Sequence, residues 1–243
     1  MSATEAAEAR RTYPLMERPV IGASLAGIAG LLNGWTLAHT QSFASVQSGN
    51  VITAALSLVH GDRGSVAMAT ASIAAFALGA GVCEIVKASF AAGSRSYSPW
   101  VLATETALLA GLAGLAAFPA LDAWWIAIGI SAIAGAQANA FHRDRGMVYG
   151  NVAVTAVLQL AAGHVGRAVV PGSGTLPRSH LKAAGIYLSV LLAFGGGAAI
   201  GVAVDRAWAP GAVVIAAAVA GILAIVSATA GENVDPGPDV MPT

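Results

Sequence analysis

Charge is scarce in this chain. Only 10% of its 243 residues are Asp, Glu, Lys or Arg, against about 25% in an ordinary soluble domain, while 56% are hydrophobic. Together with a mean hydropathy of +0.72, that shortage excludes a soluble globular fold and leaves an integral membrane protein. Cysteine is nearly absent. Cys83 is the only one, so no internal disulfide can form, and a lone thiol in an apolar segment serves as a small packing residue. Positive charge is in no excess, with 12 Lys and Arg against 12 Asp and Glu, and no basic stripe exists, which removes nucleic acid as a partner. The nucleophile elbow, the HExxH helix and the Walker loop are missing as well. Covalent hydrolysis, zinc peptidase chemistry and ATP-driven work are therefore not indicated, the chain reads as a non-enzyme, and no cofactor is expected. No secretory signal stands out, because charge and Pro14 precede the first apolar run, which reads as a retained span.

What is present are apolar windows of about 20 residues, each enough to cross a ~30 Å hydrocarbon core. They predict an all-α polytopic membrane protein of about six transmembrane helices. The spans are 20–40, 65–89, from Pro99 to about Phe118, 123–141, 181–204 and 211–230, with Trp124 and Trp125 as interfacial anchors. Residues 1–18 form a charged N-terminal segment, and 231–243 an acidic tail rich in Pro and Gly that reads as disordered.

Between the first two spans lies QSFASVQSGNVITAALSLVHG, residues 41–61. Its first half is too polar for a lipid-facing helix, and Val51 to Val59 is a short apolar helix. The same arrangement recurs in MVYGNVAVTAVLQLAAGH, residues 147–164, where Gly150-Asn151-Val152 stands as Gly49-Asn50-Val51 does in the first. Both read as re-entrant or broken half-helices. A further match sets Ala75-Phe76-Ala77-Leu78-Gly79-Ala80 against Ala193-Phe194-Gly195-Gly196-Gly197-Ala198. The chain then divides into a first repeat, 19–119, and a second, 120–230.

Basic residues test this division. With both half-helices re-entrant and the N-terminus cytoplasmic, Arg10, Arg11, Arg18, Lys87, Arg95, Arg143, Arg145, Arg167, Arg178 and Lys182 share the cytoplasmic side, leaving only Arg63 and Arg206 outside. If both short helices crossed, the asymmetry would largely vanish. Three spans per half makes the second half inverted relative to the first, a 3+3 inverted repeat.

Irregular backbone at membrane depth must be buried in protein or line a water-filled cavity. The two Gly-Asn breaks are thus expected to face each other inside the bundle. Gly49 and Gly150 would allow the turns, and Asn50 and Asn151 would cap half-helices whose N-termini favour a small polar or anionic solute. Ser48, Asn33, Gln137 and Asn139 lie close to the breaks in sequence and are candidate lining groups, although amides inside spans commonly serve as interhelical glue. Glu105 sits about two turns inside its span with no basic residue at three or four positions either side, and is a candidate titrating or hydrogen-bonding group. Glu84, by contrast, has Lys87 one turn on and reads as an interfacial pair. His39 and His60 recur in spacing as His142 and His164. Each falls at the end of a span or half-helix and no Cys or close carboxylate completes a shell, so no metal site is expected.

Gly30-Leu31-Leu32-Asn33-Gly34, Phe43, Gln47-Ser48-Gly49-Asn50-Val51 and Gly135-Ala136-Gln137-Ala138-Asn139-Ala140 together resemble the YoaK-like family of bacterial membrane proteins, a domain of unknown function. The resemblance spans residues 19–230 and implies an inner-membrane protein of about six spans with no established activity. The family's usual Thr-Gly-Asn is Ser48-Gly49-Asn50 here, its frequent Asp is Asn33, its Gln-Asn pair is split into Gln137 and Asn139, and its second Thr-Gly-Thr is Tyr149-Gly150-Asn151.

The expectation is a small-solute channel or secondary transporter in the bacterial cytoplasmic membrane. The alternative is a non-transporting scaffold or an intramembrane enzyme. Beyond the solute, the lipid bilayer is the expected partner. The Gly/Ala faces, such as Gly22, Ala26, Gly30 and Gly34, would suit a homo-oligomer as well as packing within one bundle.

Overall fold

The computed structural model describes residues 13–118, 120–144, 147–148, 154–170, 177–231 and 233–237. Within these, a 3-10 turn at Leu15–Glu17 precedes eight helices: α1 (Pro19–Thr40), α2 (Gln47–His60), α3 (Arg63–Ala92), α4 (Ser98–Ala116), α5 (Ala123–Ala140), α6 (Val154–Ala168), α7 (Pro177–Asp205) and α8 (Gly211–Thr229). A two-residue antiparallel pair, β1 (Arg143–Asp144) with β2 (Met147–Val148), follows α5. The chain is a polytopic helical membrane protein. Five helices (α1, α3, α4, α7 and α8) are long and apolar enough to cross a membrane. α5 joins them in the bundle, but Gln137 and Asn139 lower its apolarity.

Local chemistry sets the helix ends. Pro19 opens α1 without needing its missing N–H, and Gln41 closes it in the left-handed conformation (φ 54°) with its N–H on the Leu37 carbonyl. Asp62 caps α3 by accepting from the Ser65 N–H at 3.1 Å and the Ser65 hydroxyl at 2.6 Å, which holds its carboxyl below the ordinary 3.8. Asp122 caps α5 through the Trp124 N–H at 2.9 Å. α1 is the most enclosed of the five apolar helices, with 72% of its apolar stretch buried against 22% for α7.

The ends of the helices fall into two groups. At the near end, where the chain enters α1, the Leu15 N–H donates to the Asn233 carbonyl at 3.0 Å, just past α8. There too the Tyr97 hydroxyl, before α4, donates to the Ala140 carbonyl at the close of α5, at 3.2 Å. At the far end, His39 meets Asp205 at 2.7 Å and the Trp35 indole N–H donates to the Ala209 carbonyl at 2.8 Å, so α1 and α7 finish together. It follows that α1, α4 and α7 run from near to far and α3, α5 and α8 run back. α2 therefore leaves from and returns to the far end, and α6 does the same at the near end.

Glycines bring the helices into backbone contact in a repeated pattern. Gly30 of α1 lies against the Phe194 backbone of α7, as Gly135 of α5 lies against the Phe76 backbone of α3. In the same way Gly197 lies against the Gly27 backbone, and Gly79 against the Ala132 backbone. These are the positions that pair when 75–80 is set beside 193–198. α2 packs on α3 as α6 packs on α7, and α4 packs on α8.

Residues 233–237, within the tail expected to be disordered, are ordered against the bundle. Asp235 accepts from the N–H groups of Tyr97 (3.0 Å) and Ser98 (2.9 Å) and from the Ser96 hydroxyl (2.8 Å). The Gly237 N–H donates to Glu17 at 2.8 Å, and Val234 is buried. Residues 233–237 are held because a carboxylate on them serves the otherwise uncapped start of α4.

Candidate functional site

The connection between α1 and α2 carries irregular backbone into the bundle: Ser42, Ala44 and Ser45 are all buried. Side-chain amides hold it there. Asn33 Nδ2 donates to the Ser45 hydroxyl at 2.6 Å and the Ala29 carbonyl at 2.7 Å, and its Oδ1 accepts from the Ser45 N–H at 3.3 Å. Asn50 makes a reciprocal pair with the Phe43 backbone, Oδ1 accepting at 2.8 Å and Nδ2 donating at 2.7 Å. Nδ2 also reaches Gln47 Oε1 (2.8 Å) and the Ser72 hydroxyl (3.2 Å). Ser72 in turn lies 2.7 Å from the Ser131 hydroxyl, which closes on the Ala127 carbonyl at 2.9 Å. One polar chain thus links the loop to α2, α3 and α5, and satisfies backbone groups that lipid could not.

Two expectations about this element change. Asn50 is not the cap of α2: the helix starts three residues earlier, the cap position is Val46, and Asn50 is buried within the first turn, its amide turned back on the loop. Gly49 is helical rather than the turn-maker. A Cβ there would come within 2.7 Å of the Phe43 ring, so the missing side chain makes room for that ring. Ser48 is exposed on α2. Gly150 and Asn151 lie outside the described residues.

The other candidates are dispersed. Gln137 is buried between α5 and α1, with Nε2 donating to the Leu25 carbonyl at 3.0 Å and Oε1 without a partner among the described residues. Asn139 is engaged by Lys87, whose Nζ lies 3.2 Å from its Oδ1 and 2.8 Å from Glu84. Glu105 is buried on another side of the bundle. Asn33 alone among them lines an open cleft at the far end, of about 470 Å3, walled by Phe43 and Val46 on one side and Phe194, Ala198 and Val202 on the other. Arg206, which the sequence reading assigned only to a side of the membrane, is the one formal charge among the described residues that line that cleft. Its signal was the row Phe194, Ala198, Val202, Arg206 at four-residue spacing, one face of a helix.

Of the histidines, His39 is paired with Asp205 and stacked on Trp35, with centroids 4.4 Å apart. His164 Nδ1 is 3.2 Å from His180 Nδ1, and no group of three metal-ligating side chains forms among the described residues.

Residues 21–226 match the model of a family described as "Protein of unknown function (DUF1275)". The chain belongs to this family. No curated protein and no solved structure matches it. The DUF1275 match covers all six helices of the bundle together with α2 and α6, so the tied loop and the cleft belong to the family domain rather than to an appendage.

Proposed function

We propose that this DUF1275 protein is a small-solute channel or secondary transporter whose far-end cleft admits a small polar or anionic solute. The observation that carries the reading is the cleft itself: Asn33 and Arg206 are its polar groups, and it is bounded by non-helical backbone buried in the bundle. Broken segments at membrane depth occur where a cavity or pathway is lined, and a single cationic side chain at a mouth attracts anions and repels cations. Gly49 and Asn50 act by seating the loop, with Asn33 and Phe43 facing the solute, while Ser48 stands exposed on α2. Gln137, whose buried Oε1 has no partner among the described residues, Asn139, and Gly150 and Asn151 in the second half are proposed to complete the lining.

The repeated glycine contacts, and helices α2 and α6 returning to opposite ends, support an inverted repeat of 19–119 and 120–230. Lys87, Arg95, Arg143, Arg178 and Lys182 belong to the near end, whereas Arg63 and Arg206 belong to the far end. That bias makes the near end cytoplasmic, in a bacterial inner membrane as the YoaK-like resemblance suggests.

Stopped-flow swelling of proteoliposomes in isotonic potassium formate with valinomycin, which carries the counter-ion, or in isotonic urea tests the function. Wild-type protein should accelerate swelling in at least one of the two solutes, and Arg206→Ala should lower formate flux about tenfold while sparing urea. No flux of either solute above empty liposomes would overturn transport in favour of a scaffold. Unchanged formate flux in Arg206→Ala would remove the cleft as the anion entry.

A further inference from the structure

A second opening lies apart from the cleft. α3 packs on α5, and α4 packs on α5 and α8, leaving between α3 and α4 a lateral groove of about 820 Å3 whose back wall is α5. Its rim is apolar and faces outward: Leu78 (69%), Val82 (60%), Trp100 (57%) and Leu108 (53%) are among the more exposed large side chains of the protein. Gly111 leaves the wall open, since a Cβ there would meet nothing within 4 Å.

In this apolar setting sits one carboxyl. Glu105 is 4% exposed and lines the groove, and neither Oε1 nor Oε2 has a hydrogen-bond partner among the described residues. Among the described residues no Lys, Arg or His lines the groove with it. Lys87, the cation on the facing helix, is committed to Glu84 and Asn139. Glu105 lies seven residues into α4, about 10 Å along its axis from the near end, below the headgroup layer of a ~30 Å core. A buried carboxyl without a partner is expensive, and in a membrane it marks a functional position whose partner comes from elsewhere.

We infer that the α3–α4 groove binds a lipophilic amine, its apolar body lying along the groove and its nitrogen meeting Glu105. The volume falls within the range of small-molecule sites. The walls suit an apolar body, and the orphan oxygens require a donor. A fatty acid would pair with the protonated carboxyl only through neutral hydrogen bonds, weaker than the charge-assisted pair an amine makes, and a plain acyl chain would leave both oxygens unpaired. An amine that partitions from the bilayer in neutral form takes the carboxyl proton onto its nitrogen. The ammonium and carboxylate then form one charge-assisted pair with no net charge added to the membrane interior. This site does not depend on the anion cleft at the far end.

The test uses the full chain in lipid nanodiscs with radiolabelled N,N-dimethyldodecylamine, compared with N,N-dimethyldodecanamide, which has the same chain length but no basic nitrogen. Wild-type protein should bind the amine saturably and at least tenfold more tightly than the amide. Glu105→Gln should abolish that preference, and Leu108→Trp, an exposed rim change that leaves the carboxyl in place, should block saturable binding by filling the groove. Equal binding of amine and amide, non-saturable partition of both, or an amine preference that survives Glu105→Gln would overturn the assignment.

Discussion

Alanine at Gly135 should destabilise the bundle, whereas alanine at Gly81 should not. Both glycines are mid-helix, so each substitution gains about 1 kcal/mol of helix propensity. At Gly135 the new Cβ would lie 2.8 Å from the Phe76 carbonyl carbon and 3.0 Å from its Cα, inside ordinary contact distance. The Phe76 carbonyl oxygen would be nearer still, and as backbone within α3 it cannot rotate away, so α3 and α5 must part by well over a few tenths of an ångström along their whole contact. Overpacking of this kind costs about 3 kcal/mol at the upper end of its usual range, leaving a net loss of about 2 kcal/mol. At Gly81 a Cβ meets nothing within 4 Å, so only the propensity gain remains. For a chain of this size, 1 kcal/mol moves the melting midpoint by roughly 2–4 °C. Detergent-solubilised Gly135→Ala should therefore melt about 4–8 °C below wild type in a fluorescence size-exclusion assay, and Gly81→Ala at or slightly above it. Gly30→Ala, the counterpart on α1, should behave as Gly135→Ala. Wild-type melting of Gly135→Ala, or an equal loss in Gly81→Ala, would refute the claim that these glycines exist for backbone contact.

Three further outcomes follow from individual contacts. Asp235→Ala removes a carboxylate from two backbone N–H groups at the start of α4 and should cost about 2 kcal/mol, read as a lower melting midpoint, with Asp235→Asn falling between. Asn50→Leu leaves the Phe43 N–H without its acceptor while Ser72, at 3.0 Å, still serves the Phe43 carbonyl. The expected loss is about 1–3 kcal/mol in the same assay, and Asn50→Asp, which keeps the acceptor but turns a second oxygen onto the Phe43 carbonyl and Gln47 Oε1, should not recover it. Asp62 has a folded-state pKa below its ordinary 3.8, so its stabilisation is fully present above that value and fades as pH falls through the folded value. The gap between wild type and Asp62→Asn in melting midpoint should accordingly hold at neutral pH and close on acidification.

The long helices were legible because apolar runs of this length need no tertiary information, and their limits followed from Pro19, Pro99 and Asp122; five of the six expected spans are apolar enough to cross a membrane. The start of α2 was not. Gln47 to Asn50 read as polar loop, since nothing in sequence reveals that the Asn50 amide turns back onto Phe43 and lets the helix begin at Gln47. Asp235 was missed for a related reason: its partners, Tyr97 and Ser98, lie more than a hundred residues away, and an acidic residue among Pro and Gly resembles any solvated tail. Asn33 and Glu105 stood out as polar groups in apolar segments, but which opening each faces depends on helix packing. Asn33 faces the far-end cleft and Glu105 the lateral groove. Arg206 needed the row from Phe194 to Arg206 to be read as one helix face.

The account rests on six passages through the bilayer, with α2 and α6 each returning to the side they left. Cysteine accessibility in a Cys83→Ala background tests this, with single cysteines at His60, Ala120, Ala92 and Arg178, and an impermeant thiol reagent applied to intact cells. Labelling at 60 and 120, with 92 and 178 protected until the membrane is opened, is the expected result. Labelling at 92 in intact cells with 60, 120 and 178 protected would mean that the short helices cross, and the inverted arrangement would be contradicted.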